Sequence, residues 1–272
     1  MKSLRLLYLT VAAASCMWLS QMGHAEIRNF TVWSEYLSSP ERVVVASPDG
    51  QPPEGGWQTL YLLNGYTDNE QAWHKRTPLD SLANAYSVVI VCPDGRDSFY
   101  WDVDASLSPG LKMESFITKK LIPTVDSLYH TSGNSRSIAG YSMGGHGALY
   151  LTARHPDMFS AAVSLSGALD MNRIKAYPWI KIPSLLGPYD SKVWHEHSVF
   201  AYMDSLALHR PDIMIVCGDK DAFLPDNKRI HAELNTLGVK HVYKVLPGDH
   251  NWKFWRPRLP ELLDFITSKK QK

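Results

Sequence analysis

The chain has 272 residues, with 28 Lys and Arg against 27 Asp and Glu, giving a net charge of +1 at neutral pH. That balance supplies no basic face for nucleic acid and suits neutral substrates better. The length fits one large α/β domain or two small ones; no repeat, low-complexity tract or charge block divides the chain, so one domain is expected.

In chain order, residues 1–25 come first and read as a leader. Lys2 and Arg5 precede an apolar run over 6–19, and Gly23-His24-Ala25 offers small residues at a cleavage site. The run is too short for a comfortable membrane-spanning helix of about 20 residues. Cleavage after Ala25 and a secreted or periplasmic protein are therefore expected, with no membrane span in the mature chain. Ala14-Ser15-Cys16 loosely resembles a lipoprotein signal, but the apolar stretch continuing through Met17-Trp18-Leu19 argues against lipidation at Cys16.

Residues 27–36 predict an antiparallel edge strand. Short apolar runs at 42–46, 59–63, 87–92, 137–139, 161–165, 213–217 and 241–246 are bounded mostly by turn residues and read as buried strands. Helix-period segments at 112–129, 144–155, 226–237 and 257–268 alternate with the later ones, which predicts a mostly parallel central sheet with helices on both faces. Asp226 is placed to cap its helix. Cys92 and Cys217 each close an apolar run, which predicts two buried free thiols, and neither has metal-ligand spacing. Neither a metal nor a cofactor is expected. Residues 167–210 break the rhythm: a long strandless stretch holding Trp179 and Trp194, read as a short aromatic-rich cap.

The chemistry concentrates in Gly140-Tyr141-Ser142-Met143-Gly144, where a strand runs into a helix. A serine on so tight a turn needs glycine on either side. A hydroxyl is inert without a base. Among the eleven histidines, His250 follows the last strand through Pro247-Gly248-Asp249 and so lies at the carboxyl edge of the sheet, where the elbow also points. Trp252, two residues on, is expected to limit the motion of its ring. The acid should fall between the two in sequence. Asp221 has room to reach His250, whereas Asp219, nearer the strand end, is expected to bond turn amides. An oxyanion needs two N–H donors; the amides of Met143 and Tyr66, the latter on the turn Asn64-Gly65-Tyr66, are placed to supply them.

Leu62-Leu63-Asn64-Gly65-Tyr66, Pro93-Asp94-Gly95 with Ser98-Phe99-Tyr100-Trp101, 140–149 and Pro247-Gly248-Asp249-His250-Asn251-Trp252 together resemble the esterase family around esterase D. That family includes feruloyl and acetylxylan esterases, tributyrin-type esterases, S-formylglutathione hydrolases and mycolyltransferases. The resemblance spans nearly all of the chain after the leader. It implies the α/β-hydrolase fold, a triad of Ser142, Asp221 and His250, and an oxyanion hole at Tyr66 and Met143. Many relatives carry His-Gly where this chain has Asn64-Gly65; the side chain there orients the loop, so a modest effect is expected.

The expected activity is hydrolysis of short acyl or hydroxycinnamoyl esters, on carbohydrate, through an acyl-enzyme, with Tyr66, Trp101, Trp194 and Trp252 lining an open groove. Two other readings are acyl transfer to a sugar, as in the mycolyltransferases, and a catalytically silent carbohydrate-binding protein. The complete Ser, Asp and His set argues against the silent protein.

Overall fold

A computed structural model of the chain describes residues 25–108 and 110–268; the leader residues 1–24, Cys16 among them, lie outside the described residues. Eight strands, β1 (Glu26–Ser34), β2 (Ser39–Ser47), β3 (Trp57–Leu63), β4 (Val88–Pro93), β5 (Thr131–Tyr141), β6 (Ala161–Leu165), β7 (Asp212–Gly218) and β8 (His241–Leu246), form one sheet in the order β1-β2-β4-β3-β5-β6-β7-β8. β1 pairs antiparallel with β2, and β2 with β4; every later pairing is parallel. This is the mostly parallel sheet that the alternation of strand and helix patterns predicts, in the α/β-hydrolase fold that the resemblance implies.

Successive side chains on a strand face opposite sides of a sheet, so the apolar central strands feed two cores. Leu60, Leu62, Ile90, Met214 and Val216 pack beneath α1 (Leu79–Tyr86) and α5 (Leu259–Thr267). Tyr61, Leu63, Val89, Val91, Ile213 and Ile215 pack against α2 (Ile122–Tyr129), α3 (Met143–Arg154) and α4 (Leu224–Thr236). β8, at the open edge, is only half covered. Cys92 and Cys217 are buried and unpaired, as expected, and burial pushes both thiols above their ordinary range.

Two local expectations need correction. The segment predicted as one helix over 112–129 carries a π-helical stretch, Phe116–Leu121, ahead of α2; Pro123, which has no N–H to give, sits where the chain returns to α geometry. Asp226 does not cap α4. Pro225 lets the helix begin at Leu224, because a missing N–H costs nothing in the first turn. Asp226 is instead buried inside that turn, paired with Arg173 Nε at 2.5 Å.

The 167–210 segment has no strand of the sheet. It holds short helices, Met171–Ile174, Pro183–Leu186, Ser191–Glu196 and Met203–His209, and it lies between β6 and β7.

Candidate active site

Four parallel strands, β3, β5, β7 and β8, end on the same edge of the sheet, and the loops that follow them carry Tyr66, Ser142, Asp221 and His250. In open α/β sheets this carboxyl edge is where ligands bind.

Ser142 has φ 56° and ψ −119°. This is left-handed backbone that a residue with a side chain adopts at a cost of about 1–3 kcal/mol. The turn is held by its surroundings: the amide of Ser142 donates to the Leu165 carbonyl at 2.9 Å, and the Ser142 carbonyl accepts from His146 at 3.0 Å. Glycine is required on both sides. A Cβ on Gly140 would stand 2.5 Å from the Gly144 carbonyl, and one on Gly144 would stand 2.7 Å from the carbonyl oxygens of Leu63 and Asn64.

Ser142, His250 and Asp221 stand in a hydrogen-bonded line. His250 Nε2 is 2.9 Å from Ser142 Oγ, and its Nδ1 is 2.9 Å from Asp221 Oδ2 and 3.1 Å from Oδ1. Asp221 is buried and also accepts the amide of Phe223 at 2.8 Å. Asp219 accepts the amide of Gly248 at 2.9 Å, while the carboxylate hydrogen-bonded to the imidazole is that of Asp221. The rings flanking His250 are Phe223 and Trp255, each 4.9 Å away between centroids. Trp255, not Trp252, therefore limits its motion; Trp252 packs on Trp73 and Tyr141.

The amide of Met143 is the first of α3, where an N–H has no partner inside the helix. Across from it the loop after β3 is pinned by Asn64. Its side-chain amide donates to the carbonyls of Gly65 and Asp68 at 3.0 Å each, and its oxygen accepts the amide of Gly95 at 2.9 Å. Asn64 thus orients the loop, the part assigned to that position from sequence. A second tie runs from Tyr141, whose hydroxyl donates to Asp68 Oδ2 at 2.6 Å. Burial and this bond hold the Tyr141 phenol above its usual range.

A cleft of about 660 Å³ opens on Ser142. Tyr66 and Trp252 line it as expected. Trp101 and Trp194 do not. Trp101 is fully buried beneath α3, stacked on Phe99 and donating its indole N–H to His146 Nε2 at 3.1 Å. Trp194 lies within the 167–210 segment, 5.1 Å from the Tyr189 ring. Residues that sequence reasoning missed take their places: Tyr177, Trp179, Ile180 and Phe223 on one side, and Asp68 and Arg76 on the other. The guanidinium of Arg76 lies 4.5 Å over the Trp252 ring. The 167–210 segment is fastened here by two hydrogen bonds, from the Lys181 amide to the Tyr66 hydroxyl and from the Tyr177 hydroxyl to the Ala222 carbonyl, each 3.1 Å.

The Esterase family model matches residues 34–266, most of the chain. This chain belongs to that family. An acetyl esterase of Caldicellulosiruptor saccharolyticus is 25% identical over 224 residues, covering 77% of this chain and 83% of its own. A diacylglycerol acyltransferase/mycolyltransferase Ag85A of Mycobacterium gordonae is 29% identical, covering 81% and 76%. Among solved structures, a ferulic acid esterase superposes with a TM-score of 0.76 at 25% identity, over 90% of this chain and 98% of its own. The resemblance read from the sequence is thus borne out, and these likenesses support carboxylic ester hydrolysis as the activity. No helix among the described residues is long and apolar enough to cross a membrane.

Proposed function

We propose that the protein is an exported esterase that cleaves short acyl or hydroxycinnamoyl esters on carbohydrate through an acyl-enzyme on Ser142. The unbroken line Asp221–His250–Ser142 at the base of the cleft carries this reading. His250 Nε2 takes the hydroxyl proton as Ser142 Oγ attacks the ester carbonyl, and Asp221 holds the Nδ1–H tautomer and stabilises the imidazolium. The amides of Tyr66 and Met143 receive the negative oxygen of the tetrahedral intermediate. His250 then passes its proton to the departing alkoxide. Water, deprotonated by the same nitrogen, releases the acid and restores the serine.

The shape and lining of the cleft support this substrate class. The 167–210 segment forms a short cap on one side, and Trp179 at the rim is 64% exposed. Flat rings here suit an aromatic acyl group or a sugar, whereas a long alkyl chain finds no enclosed surface. Each further methylene adds about 0.8 kcal/mol only where it can be buried. Export is supported by the composition of residues 1–25. The test is kcat/KM over p-nitrophenyl esters of increasing chain length, together with methyl ferulate and acetylated xylan. Acetyl and butyryl esters should lead, and a rate still rising at twelve to sixteen carbons would overturn the open cleft.

A further inference from the structure

Tyr177 and Ile180 line the catalytic cleft and also a second groove of about 460 Å³ on the cap. That groove contains Tyr189 and Trp194, with Pro178 and Pro183 as rigid walls, and two lysines, Lys175 and Lys181. No carboxylate lines it. Lys175 Nζ stands 4.3 Å over the Tyr189 ring, and among the described residues neither lysine has a carboxylate partner. The indole N–H of Trp194 is buried and has no acceptor among the described residues. Tyr189 itself is 47% exposed.

We propose that this groove binds a uronate residue of the same acylated polysaccharide that the cleft deacylates, an inference that rests on the carbohydrate reading above. Two ammonium groups without counter-charges beside an exposed aromatic ring call for an anion attached to a ring. The carboxylate pairs with the lysines, and the C–H face of the pyranose packs on Tyr189 through many weak dispersion contacts. A purely apolar occupant would desolvate the lysines without compensation. Nucleic acid draws its affinity from many phosphate contacts, and two lysines do not supply them. Because Tyr177 and Ile180 border both spaces, one glycan chain can cross from the groove to the catalytic serine. The near-neutral charge of the whole chain thus conceals a local preference for acid.

The experiment compares kcat/KM on acetylated xylo-oligosaccharides with and without a glucuronosyl branch, for the native protein and for Lys175→Gln/Lys181→Gln. The native protein should favour the branched substrate about three- to tenfold at low salt, since partly exposed ion pairs contribute modestly. The preference should vanish in the double variant and fade at about 0.5 M NaCl, where exposed charges are screened. Turnover of p-nitrophenyl acetate should not change. A ratio near one in the native protein, or one insensitive to the double substitution, overturns the proposal. Titrating the branched oligosaccharide after chemical deacetylation gives a reading independent of hydrolysis. Binding that the double substitution removes keeps the groove even where no acetyl group is released. Absence of binding overturns it even where the neutral oligosaccharide is deacetylated.

Discussion

His146 sits in the first turn of α3, fully buried, with Phe99, Trp101 and Tyr150 packed around its ring. Its Nε2 accepts the Trp101 indole N–H, so the proton resides on Nδ1. Burial, helped by the nearby His197, pushes its pKa down to about 3, whereas in the unfolded chain it is near the ordinary value of about 6.5. Below pH 6.5 the unfolded chain therefore binds a proton that the folded protein refuses, and stability falls with pH until about pH 3. Between pH 7 and pH 5 the loss comes to about 2 kcal/mol. Any folded value below about 4 gives the same figure, since at pH 5 the buried imidazole is still neutral. His146→Gln keeps an acceptor for Trp101 without the titration. Urea unfolding of both proteins at the two pH values should show the native protein losing about 2 kcal/mol more than the variant on acidification. Asp226, raised to about 6 chiefly by burial, titrates in the opposite sense over this range, but it is common to both proteins and cancels. Equal losses in the two proteins would refute a neutral buried imidazole.

Ser142→Ala should lower kcat by about a thousandfold or more while leaving the protein folded, because only the oxyanion donors and binding contacts remain; retention of a tenth of native turnover would exclude Ser142 as nucleophile. Asp221→Asn should cost far more kcat than Asp219→Asn, which loses only a turn contact to Gly248; steady-state rates of the two folded variants decide. Tyr141→Phe removes the hydroxyl that holds Asp68, and thermal unfolding should report about 1.5–3 kcal/mol of lost stability. Its kcat should fall more than its KM rises, since the loop carrying Tyr66 is loosened rather than the cleft reshaped.

The sheet was readable because a parallel strand buried on both faces must be a short apolar run, and 59–63, 87–92 and 213–217 are such runs. The meeting of Ser142, Asp221 and His250 was readable for a related reason: each follows a strand, and parallel strands send their following loops to one edge. Which aromatics face the cleft could not be read the same way. Trp101 follows Phe99 and Tyr100, both with positive φ, a backbone course that tucks the indole under α3 and that no periodicity announces. Trp194 belongs to a six-residue helix whose facing is fixed by tertiary packing. Phe223 lay hidden beside the acid, and Tyr177 and Trp179 lay in a stretch where only their exposure in the folded molecule marks them. Asp226 was misplaced because a carboxylate at a helix start is more often a cap than a buried partner of Arg173.

The fastening of the cap to Tyr66 has a consequence for how this scaffold can change. The donor is the backbone amide of Lys181, so every residue except proline can supply it. The side chain at 181 is thereby released from holding the loop in place, and position 175 makes no tie to that loop at all. A combinatorial library at these two positions can therefore sample charge and size while the registration of the cap over the reacting centre stays constant. A proline at 181 would cut the tether and remove one of the groove's two lysines with it.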